Sequence, residues 1–175
     1  MSKTTIPTGG ITDATIATAD IAADAITGAK IADSAVTIAK ASGFGKVGQV
    51  VESTSIDTTA ISSTSFSDID LNVAITPTAT SSKVLIMIDF AYTQDGADNN
   101  LANIQILRGS TAIGNHHVGY DNPGGNVGFG CHIQKLDSPS STSAVTYKTQ
   151  AKTQNASSQF RPVGAASIIA IEILA

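Results

Sequence analysis

The chain has 175 residues and a formal net charge of −4, and 42% of it is hydrophobic. Aromatics make up only 5%, Trp is absent, and charged residues reach 14%, against about 25% in typical globular domains. The acidic balance and the absence of a basic patch argue against nucleic acid, and the single cysteine, Cys131, excludes an intrachain disulfide or a cysteine-built metal or redox framework.

With so few charges, solubility rests on Ser, Thr, Asn and Gln, or on a surface covered by other subunits. The opening Met1-Ser-Lys-Thr-Thr5 lacks the apolar run of a signal peptide. The densest apolar stretches, Val84 to Tyr92 and Ile168 to Ala175, are interrupted by Asp89 and Glu172. Both fall short of the roughly 20 residues that span a bilayer. These features predict a soluble protein made in a cytoplasm, without membrane insertion.

Residues 1–43 form the first predicted unit. An aliphatic residue returns there at every fifth position: Ile6, Ile11, Ile16, Ile21, Ile26, Ile31 and Val36. On an α-helix five residues advance about 500°, so these side chains form no stripe. On a continuous strand an odd spacing sends them to alternate faces. The segment must therefore turn regularly or share its apolar residues with neighbouring copies. Residues 11–40 also read as three decads, ITDATIATAD, IAADAITGAK and IADSAVTIAK. Two architectures fit: a single-chain pentapeptide helix of about two coils, or an intertwined homotrimer with the aliphatics on a shared axis. Repeats need neighbours to bury their apolar faces, and only the trimer gives so short a stem a core it can complete.

Ala41-Ser-Gly-Phe-Gly-Lys-Val-Gly-Gln49 reads as a glycine-rich joint into the second unit, residues 44–175. Beyond it the period changes to two. Asp68 and Asp70 alternate with Ile69 and Leu71, with Val73 and Ile75 following. Further strands are predicted over 83–92, 101–107, 111–113, 127–136, 144–152 and 167–174, separated by Pro77 to Ser82, Asp95 to Asn100, Arg108-Gly-Ser110, Asp121 to Gly125 and Asp137 to Ser140. Eight or so short strands without a confident helix predict a jelly-roll β-sandwich. The whole is then an all-β chain: a short repetitive intertwined trimeric stem and a jelly-roll head.

The decads, of the form Ile-Ala-Asp-x-Ala-Val/Ile-Thr-x-Ala-Lys, resemble repeats in bacteriophage tail fibres, notably those of marine and cyanobacterial hosts. The head resembles the C-terminal domain found behind such repeats. Its matching pieces are Ile75-Thr-Pro77, Ser81-Ser-Lys-Val-Leu85, Leu107-Arg-Gly-Ser-Thr-Ala-Ile-Gly114, Leu136-Asp-Ser-Pro139, Tyr147-Lys148 and Ser167 to Ile173. The resemblance implies a homotrimer, a head similar to those of tumour necrosis factor and C1q, and a place on a virion assembled in the host cytoplasm. The stem would dock on other virion proteins, and the head would bind a host-cell surface glycan or protein. A head fibre, a capsid or tail decoration protein, and a polysaccharide-degrading tailspike are the alternatives.

No nucleophile elbow, zinc-protease helix or phosphate-cradling loop is present, so no catalytic residue and no cofactor is predicted. Asp68 and Asp70 share a strand face but read as a solvated one. His116-His117 could place a ring of imidazoles on a three-fold axis, a weak metal candidate beside the simpler reading as an exposed polar stretch. Asp95, Asp98, Asn99 and Asn100 supply hard oxygens without a calcium-loop spacing. Recognition falls to loops on a rigid sandwich: Asp95 and Asn99, Tyr120 with Asp121 and Asn122, and Arg161. Tyr120 and Arg161 are the expected anchors, since Tyr and Arg are enriched at binding hot spots.

Overall fold

The computed structural model describes residues 16–32, 35–36, 46–95, 101–119 and 127–174. The chain divides into two units, Met1–Phe44 and Gly45–Ala175. Ile6 and Ile11 lie outside the described residues.

In the first unit the five-residue period is a period of turns. The backbone N–H groups of Asp20, Ala25, Lys30 and Ala35 donate to the carbonyls of Ala17, Ala22, Thr27 and Ala32 at 2.9, 3.0, 2.9 and 3.0 Å. Each bond spans three residues, each starts one residue after an aliphatic, and each recurs after five. Two of these turns are single 3₁₀ turns, Thr18–Asp20 and Gly28–Lys30. The Asp20 carboxylate tightens the first by accepting from the Ala17 N–H at 2.8 Å. The aliphatics of this unit stand largely in water: Ile16 is 53% exposed, Ile26 57% and Val36 55%.

The second unit is eight antiparallel strands: β1 Lys46–Ser53, β2 Ser67–Ile75, β3 Lys83–Asp95, β4 Ala102–Arg108, β5 Thr111–Val118, β6 Val127–Asp137, β7 Val145–Thr153 and β8 Gln159–Leu174. They form two four-stranded sheets, ordered β1-β8-β3-β6 and β2-β7-β4-β5. The first strand pairs with the last, the second with the seventh, the third with the sixth and the fourth with the fifth. That is one long antiparallel hairpin rolled into a sandwich, the jelly roll. Its tip is the two-residue loop Gly109-Ser110, where Gly109 adopts φ +59°, as tight hairpins that begin on glycine require.

Alternation builds the core. In β3 the even residues Val84, Ile86, Ile88, Phe90 and Tyr92 are buried, with Ile168 and Ala170 of β8 beside them and Ile104, Ile106 and Tyr147 in the opposite sheet. At one end Phe90, Tyr92, Phe129 and Phe160 stack with ring centroids 5.1–6.3 Å apart. Burial pushes the Tyr92 hydroxyl up to about 12.

One expectation fails. Lys46 to Gln49 is not part of a joint but the start of β1. The glycine that suggested a hinge has a packing reason. The β1–β8 register shifts between Val47 and Val50, and a Cβ on Gly48 would sit 2.8 Å from Glu172 Oε2. This bulge lets the buried Glu172 carboxylate approach the strand. It accepts from Gln49 Nε2 at 2.8 Å, from the Thr78 N–H at 2.6 Å and from the Thr78 hydroxyl at 2.8 Å. Burial alone would raise its pKa, but these hydrogen bonds outweigh that and hold it at about 2, against an ordinary 4.5.

A second, half-buried node joins Arg108, Asp137 and the buried Tyr147. Arg108 donates to both Asp137 oxygens at 3.1 and 3.0 Å and to the Ser138 carbonyl at 3.1 Å, while the Tyr147 hydroxyl donates to Asp137 at 2.8 Å. Burial and this bond raise the Tyr147 pKa. The motif pieces that carry the family resemblance thus meet at two places that hold the sandwich together.

Because the Glu172 carboxyl is depressed in the folded state, its contribution is full above about pH 4.5 and is lost as pH falls towards 2. Glu172→Gln should lower stability at pH 7 by about 3 kcal/mol. It should also flatten the decline between pH 4.5 and 2 in denaturant titrations. An unchanged acid limb would show that the carboxylate is not the acid-sensitive group.

Candidate functional site

Two surfaces of the head, among the described residues, stand out as candidates. The first is the outer face of the β1-β8-β3-β6 sheet. Register aligns Val50 with Ile171, Ile171 with Leu85, and Leu85 with Leu136, so one row of aliphatics crosses all four strands. Ile173 beside Val47 and Ile169 beside Met87 flank the row. Val47 and Val50 are each 59% exposed and Leu136 48%. Asp89 and the His132 ring, 3.2 Å apart, lie further along the same face. A contiguous apolar patch of this kind marks an interaction surface.

The second is a groove of about 340 Å³ between the β1–β2 connection, residues 54–66, and the start of β2. Connections this long without regular structure are usually functional. This one is held in place at several points. The Asp57 N–H donates to the Ile69 carbonyl at 2.8 Å, Ile61 and Phe160 exchange backbone hydrogen bonds at 2.7 and 2.9 Å, and the Thr153 N–H donates to the Ser63 carbonyl at 2.9 Å. Arg161 Nε donates to the Thr58 carbonyl at 3.1 Å.

The groove is lined by Asp57, Thr59, Ser62, Ser63, Ser67 and Asp68 over Ala60, Ile61 and Ile69. Both carboxylates are stabilised in the charged form. Thr59 holds the Asp57 pKa down. Gln150 Nε2, at 2.8 Å, leads in lowering that of Asp68 against a burial penalty, with Lys148 Nζ at 3.2 Å adding to it. On the rim Lys152 Nζ stands 4.8 Å over the Phe66 ring.

Of the residues singled out by sequence, Arg161 lies in β8, exposed and tied to this groove's lip. Asp95 ends β3, and register places it beside Gln159, two positions from Arg161 on one face. Tyr120, Asp121, Asn122, Asn99, Asp98 and Asn100 lie outside the described residues. His116 and His117 are successive residues of the edge strand β5, so their side chains leave opposite faces. Among the described residues no group of three His, Cys, Asp or Glu is placed to hold a metal ion, and no helix is long and apolar enough to cross a membrane. Asp68 and Asp70 share the exposed side of β2, but Asp70 sits at φ +55° in an irregular stretch of the β2–β7 ladder.

Sequence reasoning passed over both surfaces. The 54–66 connection has no period to draw the eye, only its length and its hydroxyls. For the apolar face a signal existed: β8 is apolar at Ile169, Ile171 and Ile173 as well as at the core positions Ile168 and Ala170, and strands apolar on both sides are typically covered on both sides.

The sequence matches no protein-family model and no curated protein. Among solved structures it is similar to the infectious bursal disease virus VP2 subviral particle, at 14% identity and TM-score 0.36. The infectious bursal disease virus Gx strain gives 14% and 0.35. Each likeness covers 71% of this chain and 32% of the other, so the chain spans about a third of those proteins. It is the strand order that defines this head as a jelly roll.

Arg161→Ala should loosen the lip of the groove without touching the core. Amide exchange at residues 57–61 should quicken while global stability stays within about 0.5 kcal/mol; equal protection in both proteins would show that Arg161 does not hold the loop.

Proposed function

We propose that the protein is a structural component of a virion: a homotrimeric short fibre whose N-terminal stem docks on the particle and whose head recognises a structure on the host-cell surface, catalysing no reaction. The observation that carries this reading is the run of exposed aliphatics in the stem, of which Ile16, Ile21, Ile26 and Ile31 are each followed by a turn. Side chains of this kind, repeated at equivalent positions and left half in water, complete a core when copies of the chain come together. Three copies fit best, since a shared axis needs only one residue per chain in each layer. The apolar row on the head supports the same assembly, because a second copy beside the stem brings a second head with it. That row also suits packing on another virion protein, which keeps a capsid or tail decoration protein as the second reading.

Light scattering should give a mass three times 17.7 kDa; a monomer at micromolar concentration contradicts the proposal. Ile26→Asp would bury an unpaired charge in the stem and should dissociate the trimer, while the paired change Val50→Asp and Leu136→Asp should weaken it without unfolding the head. Purified trimer should adsorb to host cells; failure to adsorb with the trimer intact favours the decoration reading.

A further inference from the structure

The groove beside the β1–β2 connection has a chemistry that narrows its ligand. It presents two charged carboxylates and four hydroxyl-bearing residues above a small aliphatic floor. The cationic groups near it are already engaged: Lys148 with Asp68, Lys152 over Phe66, and Arg161 with the Thr58 carbonyl. The lining is therefore net negative, which disfavours phosphate, sulfate and acidic polymers. A bound cation would need a richer donor set than the described residues assemble.

What two fixed carboxylates and flanking hydroxyls suit is a neutral ligand dense in hydroxyl donors. A carboxylate accepts from two neighbouring hydroxyls at once, and such charge-assisted bonds are the strong ones. Asp57 keeps this capacity: Thr59 engages it through its hydroxyl and through its N–H, the latter at 2.8 Å on Oδ1, but a carboxylate offers about four lone-pair sites and this one is exposed. The aliphatic floor meets the C–H face of a sugar ring. The volume, about 340 Å³, lies at the small end of ligand sites, roughly 300–1,000 Å³, and so fits a short stretch of chain. The hydrogen bonds that hold the lip mean that little ordering remains for binding to do.

We infer that this groove is a binding site for neutral saccharide, with Asp57 and Asp68 as the hydroxyl acceptors. The inference rests on the receptor-binding reading and gives it a place and a ligand class.

Affinity electrophoresis of the full-length protein through gels containing dextran, mannan or galactan tests it, with polygalacturonate as the acidic comparison. Retardation by at least one neutral polymer is expected. Asp57→Asn and Asp68→Asn should each weaken it about tenfold, and Asp70→Asn, on the same strand as Asp68 but outside the lining, should leave it unchanged. No retardation by any neutral polymer, retardation by polygalacturonate alone, or retardation indifferent to both groove variants would overturn the assignment. Circular dichroism and the trimer's mass, measured on the same samples, distinguish a misfolded variant from a lost contact. They also separate failure of the saccharide site, with the trimer present and host cells still adsorbing it, from failure of the fibre reading.

Discussion

An isoleucine that comes back every five residues, from Ile16 to Ile31 each time just ahead of a turn, is left largely in water. Ile16, Ile21, Ile26, Ile31 and Val36 are all substantially exposed, and burying one such side chain is worth about 1.5–3 kcal/mol. The turns repeat this cost in water at a fixed interval, and the small Ala and Thr residues between them let backbones draw close. The constraint reaches past the stem. On the head, the row Val50, Ile171, Leu85 and Leu136 is a second apolar surface that lies outside the sandwich core.

The head solves a different problem, holding two sheets shut with few charges and few aromatics. It does so with an alternating aliphatic core and two polar nodes at which distant segments meet. Glu172 gathers β1 and the β2–β3 turn; Asp137 gathers Arg108 of β4 and Tyr147 of β7. Cutting the first would leave a buried charge without partners, which costs more than the node contributes. Rigidity of this sort allows the long β1–β2 connection to be pinned into shape with no helix or hairpin of its own.

Much of this was legible in the residues. The strands β2 to β4 and β6 to β8 follow from period-two alternation, and the jelly roll from their number and their turns. The isoleucine spacing leaves two alternatives, regular turns or apolar residues shared between copies, and the described stem residues show the turns. What escaped is instructive. Lys46 to Gln49 read as a joint because Gly48 looks like a hinge, and only the tertiary approach of Glu172, far along the sequence, explains it. The family motifs read as a signature, but nothing local says that Arg108, Asp137 and Tyr147 touch. Arg161 was chosen for its residue type, and the structure adds its tie to the groove. The groove itself is made of Ser, Thr and Asp in an aperiodic stretch, where single-residue chemistry is silent until the fold brings it to one wall.

The central claim is that the stem's aliphatics face one another across copies, and cysteine cross-linking tests it most directly. The native Cys131 is buried, with its thiol pushed up to about 12 by burial, so it gives a quiet background. Ile26→Cys, oxidised in dilute protein, should yield covalently linked chains in high yield, whereas Thr27→Cys one residue away should not. If Ile26→Cys stays monomeric on a denaturing gel, the isoleucines do not meet on a shared axis.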